Sequence, residues 1–133
     1  IWSQLVEQTP TVLSLEVKGR KIVLPNYHNG ICKITFSALC EKPLGAADYL
    51  KMCDYLKVLF IENIPLLDSK GPDCAKRFVV LIDTLYEKNV KIICLAGSKP
   101  ENLYRKGIGS FEFSRTVSRL YEMQSEEWLD GLR

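Results

Sequence analysis

The sequence predicts an α/β fold in which a small antiparallel meander is joined to a parallel β-α-β crossover, with helices at the C-terminal end. Three observations lead to this fold: early alternation of apolar and polar residues, two continuous apolar runs, and an amphipathic stretch between those runs. A chain of 133 residues fits one domain. We therefore expect residues 1–133 to form a single domain with segments 12–36, 57–96 and 111–132.

The first strands are predicted as a hairpin. Apolar and polar residues alternate from Val12 to Val17, which is the pattern of a half-buried strand. Lys18-Gly19-Arg20 is expected to make a tight connection, and a second apolar run follows at 21–24. These two runs should therefore pair as antiparallel neighbours.

A third strand completes the predicted meander. It is expected at 31–36, after a turn at 25–30, with alternate residues up to Phe36 on one face. Ser37 is expected to cap a short helical turn, and a longer helix is predicted over 45–55.

Segment 57–96 predicts a right-handed crossover. Lys57–Ile61 and Val90–Ala96 are continuous apolar runs, which are typical of strands buried on both faces. Between them, apolar residues recur at helical spacing: Ala75, Phe78, Val79, Ile82, Leu85 and Tyr86. A strand, a helix and a strand over this length indicate two parallel strands.

A pair of arginines stands out in the predicted helix from Phe113 to Gln124, which precedes a last short helix beginning at Ser125. Arg115 and Arg119 are four residues apart, so a helix places them on nearly the same face. Like charges at this spacing cost a few tenths of a kcal/mol, so an acidic group should face them.

Two sources of that acidic group remain open. Glu112 lies three residues before Arg115 and Glu122 three residues after Arg119, so both pairs can form within one helix. Alternatively, a phosphate or an acidic partner from outside the chain faces both guanidinium groups.

Other candidate site residues lie at strand ends and on the crossover helix. Ligands of open parallel sheets collect beyond the carboxyl ends of the strands, which singles out Glu62, Asn63 and Ser98. Glu62 alone is more often a solvated strand end than a catalytic group. Arg77 is a candidate contact for an anion or a partner, although cations near a helix N-terminus are mildly unfavourable.

Composition excludes several functions. Five cysteines form no Cys-x-x-Cys pair, and His28 is the only histidine, so we expect reduced cysteines and no metal site. A net charge of +2 without a lysine run argues against nucleic acid. The apolar stretches are too short to span a bilayer. The phosphate-binding-loop motif G-x-x-x-x-G-K-[ST] does not occur, so the chain alone is not expected to bind a triphosphate.

Four motifs together resemble the P-loop ATPases that include bacterial ZapE and the mitochondrial Afg-one-like, or lactation-elevated, ATPases. The motifs are LCEKPLGAADYL (39–50), VLFIENIPLLD (58–68), KRFVVLIDTLYEKNVKIICLA (76–96) and FEFSRTVSRLYEMQSEEWL (111–129). The resemblance covers essentially the whole chain. It implies the C-terminal portion of an AAA+-like enzyme whose Walker A and Walker B segments lie upstream, and the start at Ile1 without methionine fits a fragment.

The resemblance also implies cofactors and partners. The full-length protein is expected to use ATP and Mg²⁺, whereas this chain alone is expected to bind neither and to be inactive. Expected partners are the N-terminal P-loop portion, further copies in a homo-oligomer, and a protein substrate. That substrate would be a division-ring filament in the bacterial cytoplasm, or an inner-membrane or protease-associated protein at the mitochondrial matrix. Arg115 and Arg119 match the family's Arg-Thr-x-Ser-Arg motif, and we hypothesise that they sense nucleotide.

An alternative from another class is a pure interaction module. In that interpretation the meander docks a partner or a neighbouring subunit through exposed Tyr27, His28 and Lys33.

Overall fold

A computed structural model of the chain describes residues 11–96, 99–104 and 112–123. The strands are β1 Thr11–Val17, β2 Arg20–His28, β3 Ile31–Thr35, β4 Val58–Ile64 and β5 Lys91–Ala96. The helices are α1 Phe36–Cys40, α2 Ala46–Cys53, α3 Pro72–Glu87 and α4 Phe113–Met123. Short 3₁₀ turns lie at Leu67–Ser69 and Pro100–Asn102.

The strands form one mixed sheet in the order β1-β2-β3-β4-β5. β1, β2 and β3 are antiparallel neighbours, whereas β3 pairs with β4 and β4 with β5 in parallel. The predicted α/β class, the meander and the β4-α3-β5 crossover are therefore confirmed. The parallel pairing of β3 with β4 was not predicted, and it makes α1 and α2 a second crossover connection.

Two tight turns shape the meander. Lys18 and Gly19 have φ values of 50° and 78°, and Asn29 and Gly30 have 47° and 88°. Positive φ at both central residues is the type I′ geometry that matches the twist of a hairpin. Gly30 is needed for a second reason, because a Cβ there would lie 3.0 Å from Cγ of Lys57.

The predicted turn at 25–30 is wrong in extent, because β2 continues to His28. Thr11 pairs with Tyr27 and Leu13 with Leu24, so β2 carries one extra residue between the two pairs. Asn26 takes up this bulge with a φ of 49°. β2 contains Pro25, which has no amide hydrogen to donate to the ladder, and a bulge allows a strand to include such a residue.

The start of the first helix also differs from the prediction. Phe36 opens α1 instead of ending the third strand, and it is buried there. Thr35 is the cap in place of Ser37, because its hydroxyl oxygen accepts a hydrogen bond from the Ala38 amide at 3.3 Å.

The helices pack on the sheet around one apolar cluster. The expected inward residues of α3 at Ala75, Phe78, Ile82 and Leu85 are buried, while Val79 and Tyr86 are half-buried. The continuous apolar run in β4 is buried from Val58 to Ile61, as predicted. β5 is less buried than its run indicates, since Leu95 and Ala96 are exposed.

α4 is fixed to α3 by aromatic contacts and a buried stripe. The ring centroids of Phe78 and Phe113 are 6.3 Å apart, and those of Tyr104 and Phe113 are 5.7 Å apart. Phe113, Leu120 and Met123 are buried, as predicted. The predicted last helix from Ser125 lies outside the described residues. No helix within those residues is long and apolar enough to cross a membrane.

Candidate functional site

Arg115 and Arg119 project from α4 towards α3 and share one carboxylate, that of Asp83. Nη2 of Arg115 lies 3.3 Å from Oδ2 of Asp83, and Nη1 of Arg119 contacts Oδ1. The predicted internal partners were Glu112 and Glu122, whereas the carboxylate that both arginines contact is that of Asp83. The amphipathic pattern of α3 marks Asp83 as a polar position, but the pattern does not say which helix packs beside it.

The two arginines have different surroundings. The side chain of Arg119 is 20% exposed, and its Cζ lies 4.6 Å from the centroid of the Tyr86 ring. That stacking is a cation–π contact, and it holds the guanidinium in place from a second side. A hydrogen bond to Glu122, helped by burial, raises the pKa of Tyr86 above its ordinary value. The side chain of Arg115 is 66% exposed, so its ion pair is largely screened by water.

A cavity of about 370 Å³ opens beside Arg115, between the first turn of α3 and the start of α4. Its apolar part is lined by Pro72, Ala75, Val79 and Tyr104. Its rim carries both charge signs, from Lys76 and Arg115 and from Asp73 and Glu112. An anion entering this cavity would therefore meet two cations, but also two carboxylates that oppose it.

Arg77 occupies a different place. Its Nη1 donates a hydrogen bond to the carbonyl oxygen of Cys40 at 3.2 Å, so it satisfies an acceptor at the C-terminus of α1. It lines a second cavity, of about 260 Å³, with Leu44 and Gly45. The structure thus gives Arg77 a structural contact and does not place it on the cavity of Arg115.

The strand-end candidates lie around an open groove of about 360 Å³. Glu62 and Asn63 line it together with residues 94–96. Glu62 lies 3.5 Å from Nζ of Lys33, and Asn63 has a φ of 57° where the β4 register shifts. Ser98 lies outside the described residues.

The topology of these strands does not favour a ligand crevice at this groove. β3, β4 and β5 are neighbours in chain order, so both crossovers advance in the same direction. Ligand crevices of open sheets form where the direction reverses. Within residues 11–96, 99–104 and 112–123, no group of three metal-ligating side chains comes together either.

A second ion pair that the sequence analysis missed joins β2 to α2. Nη2 of Arg20 lies 2.8 Å from Oδ1 of Asp48, and its Nη1 donates to the Pro43 carbonyl. Asp48 is 1% exposed and also accepts a hydrogen bond from the Gly45 amide at 2.7 Å. Gly-x-x-Asp at the start of a helix is the available signal, because an acid at the third position can accept from the cap amide.

The cysteines are free, as predicted. Burial raises the pKa of the Cys32 thiol to about 12 and also raises the pKa of Cys40. Such thiols stay protonated near neutral pH, which is the state of core cysteines and not of nucleophiles.

The side chains proposed to dock a partner already make contacts within the chain. The Tyr27 hydroxyl donates to the Tyr55 carbonyl at 2.7 Å, and Lys33 pairs with Glu62. Tyr27, His28 and Lys33 are half-buried, so the expectation that they are exposed is wrong. The three side chains named for docking therefore give this alternative no support.

Comparison with known proteins matches residues 1–131 to the AFG1-like ATPase family. Lactation elevated protein 1 homolog B of Danio rerio is 33% identical over 90% of this chain and 30% of its own length. Cell division protein ZapE of Escherichia coli K12 is 31% identical over 92% of this chain and 32% of its own length. The chain thus spans about a third of these relatives. No solved structure matches it.

The family match spans all five strands, α3 with Asp83, and α4 with both arginines. A match of that extent leaves no part of the described fold outside the family, so this chain belongs to the AFG1-like ATPases.

Proposed function

We propose that this chain is the C-terminal module of an AFG1-like ATPase and acts on ATP only together with a P-loop portion of the same protein. One observation carries the proposal: the chain matches the family over residues 1–131, yet its sequence contains no phosphate-binding loop. The relatives are about three times as long, which leaves room for that loop elsewhere. ATP and Mg²⁺ are then cofactors of the whole protein, and the phosphate-binding loop for them lies outside this chain.

The work coupled to hydrolysis is proposed to be the remodelling of a partner protein by a homo-oligomer. ZapE is a cell division protein, which supports a role in cell division. We propose a division-ring filament in a bacterial cytoplasm as the substrate in that case. The alternative that we propose is a mitochondrial version with an inner-membrane or protease-associated substrate at the matrix, and it rests on the resemblance of the sequence motifs to the Afg-one-like ATPases. The net charge of +2 gives no reason to add nucleic acid to the partners.

Within that enzyme, the arginine pair on α4 is proposed to contact the nucleotide or an acidic residue of the P-loop portion. The exposure of Arg115, 66%, supports this role because its guanidinium is accessible from outside the module. Arginine suits the task, since its planar group forms paired hydrogen bonds with phosphate and carboxylate oxygens.

The test is to measure MgATP turnover of the chain alone and of the chain produced with its upstream portion. The chain alone should show no turnover, and the longer protein should hydrolyse ATP. Arg115→Ala in the longer protein should lower kcat/KM by at least about tenfold if the guanidinium faces the reacting phosphates. Lys42→Ala, which removes an exposed charge between α1 and α2, is the matched control and should change little. Turnover by the chain alone, or a longer protein without turnover, would reject the proposal.

A further inference from the structure

Two cations share one anion between α3 and α4. One carboxylate oxygen of Asp83 accepts a hydrogen bond from Arg115, and the other accepts one from Arg119. The strongest arginine–carboxylate pairs use both oxygens on one guanidinium, so a carboxylate divided between two arginines satisfies neither completely. Each guanidinium has five N–H donors, and one contact to Asp83 leaves donors of Arg115 for an additional acceptor.

The sharing is unequal. Arg119 is mostly buried, stacks on Tyr86 and also contacts Asp83. Arg115 is mostly exposed, and its Nη2–Oδ2 distance of 3.3 Å is longer than a strong charge-assisted hydrogen bond. Opening the Arg115 contact therefore costs little, whereas moving Arg119 would also break its ring contact.

We propose that Asp83 is an internal substitute for an outside phosphate, and that Arg115 is the arginine that exchanges between them. Arg115 releases Asp83 when a nucleotide phosphate from the P-loop portion approaches, while Arg119 keeps Asp83 and holds α4 against α3. Lys76, on the rim of the same cavity, supplies the second cation for that phosphate. This inference rests on the proposed function and assigns different roles to the two arginines.

The surrounding charges fit an exchangeable site. Asp73 and Glu112 on the cavity rim offset Lys76 and Arg115, so the cavity carries little net charge. A phosphate must then compete with carboxylates, and we expect weak binding by the isolated chain that strengthens when one competing carboxylate is removed. A monoanion such as acetate gains less than a phosphate, because it brings less charge to the two cations.

The first experiment uses the unaltered chain and inorganic pyrophosphate as the probe. Titration should shift the side-chain Nε–Hε NMR resonance of Arg115 and leave that of Arg119 nearly unchanged. ADP should do the same, whereas acetate at equal ionic strength should not. Equal shifts of both arginines, or of neither, would overturn the division of roles. A response to pyrophosphate without one to ADP would overturn the nucleotide as the source of the phosphate.

The second experiment tests the competition. Asp83→Asn should tighten pyrophosphate binding by up to about fivefold, the effect of removing one solvent-exposed ion pair. Arg115→Ala should abolish binding, and Lys42→Ala should leave it near the unaltered value. Unchanged or weaker pyrophosphate binding by an Asp83→Asn chain that circular dichroism shows to be folded would refute the proposal that Asp83 stands in for a phosphate. If that variant does not fold, the pyrophosphate titration of the unaltered chain still tests the different roles of Arg115 and Arg119.

The two proposals fail separately. ATP turnover by the longer protein with no pyrophosphate response in the chain would reject the role of Asp83 and keep the proposed function. A pyrophosphate response in the chain with no ATP turnover by the longer protein would reject the proposed function and keep the role of Asp83.

Discussion

Gly30 shows how one residue joins the antiparallel and parallel halves of the sheet. It takes the left-handed conformation of the Asn29-Gly30 turn, and its carbonyl accepts hydrogen bonds from the amides of Lys57 and Val58. The same residue thus ends the meander and holds the start of β4. A side chain there would approach Lys57 as well as strain the backbone.

Gly30→Ala should therefore destabilise the chain more than Gly19→Ala. Both changes force alanine into positive φ, at a cost of about 1 to 2 kcal/mol. Only Gly30 adds a close contact, which we expect to cost about 1 kcal/mol more. Urea unfolding of the two variants measures the difference, and equal losses of stability would show that Lys57 moves aside without cost.

The buried thiol of Cys32 predicts a loss of stability in alkali. The unfolded thiol titrates near 9.0, whereas the folded one has a pKa raised to about 12. Above pH 9 the unfolded chain therefore binds fewer protons than the folded chain, and the free energy of unfolding falls as pH rises. Between pH 8 and 10 this one thiol should cost about 1.4 kcal/mol.

Cys32→Ala provides the comparison, because it removes this titration and leaves the other groups in place. The variant should start less stable but lose less stability between pH 8 and 10 in urea unfolding. Parallel losses in both proteins would mean that the thiol ionises in the folded chain.

Thr116 is a position where a change should stabilise the protein. It is fully buried on α4, and its hydroxyl has no hydrogen-bond partner in the described part of the chain. Thr116→Val replaces the hydroxyl by a methyl group of similar size and should gain about 1 kcal/mol. Thr116→Ser keeps the hydroxyl, loses the methyl group, and should cost about 1 kcal/mol. Thermal unfolding compares them, and a destabilised valine variant would reveal a polar partner.

At the scale of elements, Asp48 fastens α2 to the meander. Its carboxylate accepts from the cap amide of its own helix and pairs with Arg20 of β2, twenty-eight residues earlier. One buried group thus serves as a helix cap and as a contact between elements. Because Arg20 is 49% exposed, the ion pair is weaker than a fully buried one would be.

Asp48→Asn should cost about 1 to 2 kcal/mol, since the amide oxygen can keep one hydrogen bond but the charge is lost. A double-mutant cycle with Arg20→Ala should give a coupling of up to about 1 kcal/mol. Chemical denaturation of the four proteins measures this coupling. Additive single-variant effects would mean that Asp48 acts only as the cap of α2.

At the scale of the whole molecule, local patterns predicted most elements, the meander and the β4-α3-β5 crossover, but missed the parallel pairing of β3 with β4. The apolar run of β4 and the stripe of α3 are local signals that were interpreted correctly, whereas β5 forms where it was predicted but is less buried than its run indicated. The β3–β4 pairing joins residues such as Ile34 and Ile61 that are distant in the chain, so no local periodicity indicates it. The extension of β2 was missed because Pro25 looked like a break, whereas a bulge accommodates it.

The candidate site shows the same limit. The spacing of Arg115 and Arg119 correctly placed them on one helical face, since both reach one carboxylate. Their partner, Asp83, lies on another helix, thirty-two and thirty-six residues earlier in the chain. Pairing across helices depends on how α3 and α4 pack, which the sequence of either helix does not contain.

The hairpin of β1 and β2 should open before the parallel half of the sheet, although residues from both halves share one core. Only two ladder pairs join β2 to β3. The hairpin of β1 and β2 therefore depends on core contacts and on Asp48. Amide hydrogen exchange should therefore be slow in β1 and β2 of the unaltered chain and should accelerate there first in Asp48→Asn. Acceleration spread evenly over all strands would show that Asp48 supports the fold globally.

The direct passage from β3 into α1 restricts how this chain can change in length. Thr35 is the last paired residue of β3 and also the cap of α1, so no residue lies between ladder and helix. An inserted residue at this junction would separate the cap from its helix or shift the strand register. Insertions should instead be tolerated at exposed Lys42, in the connection to α2, where neither ladder nor helix would be interrupted.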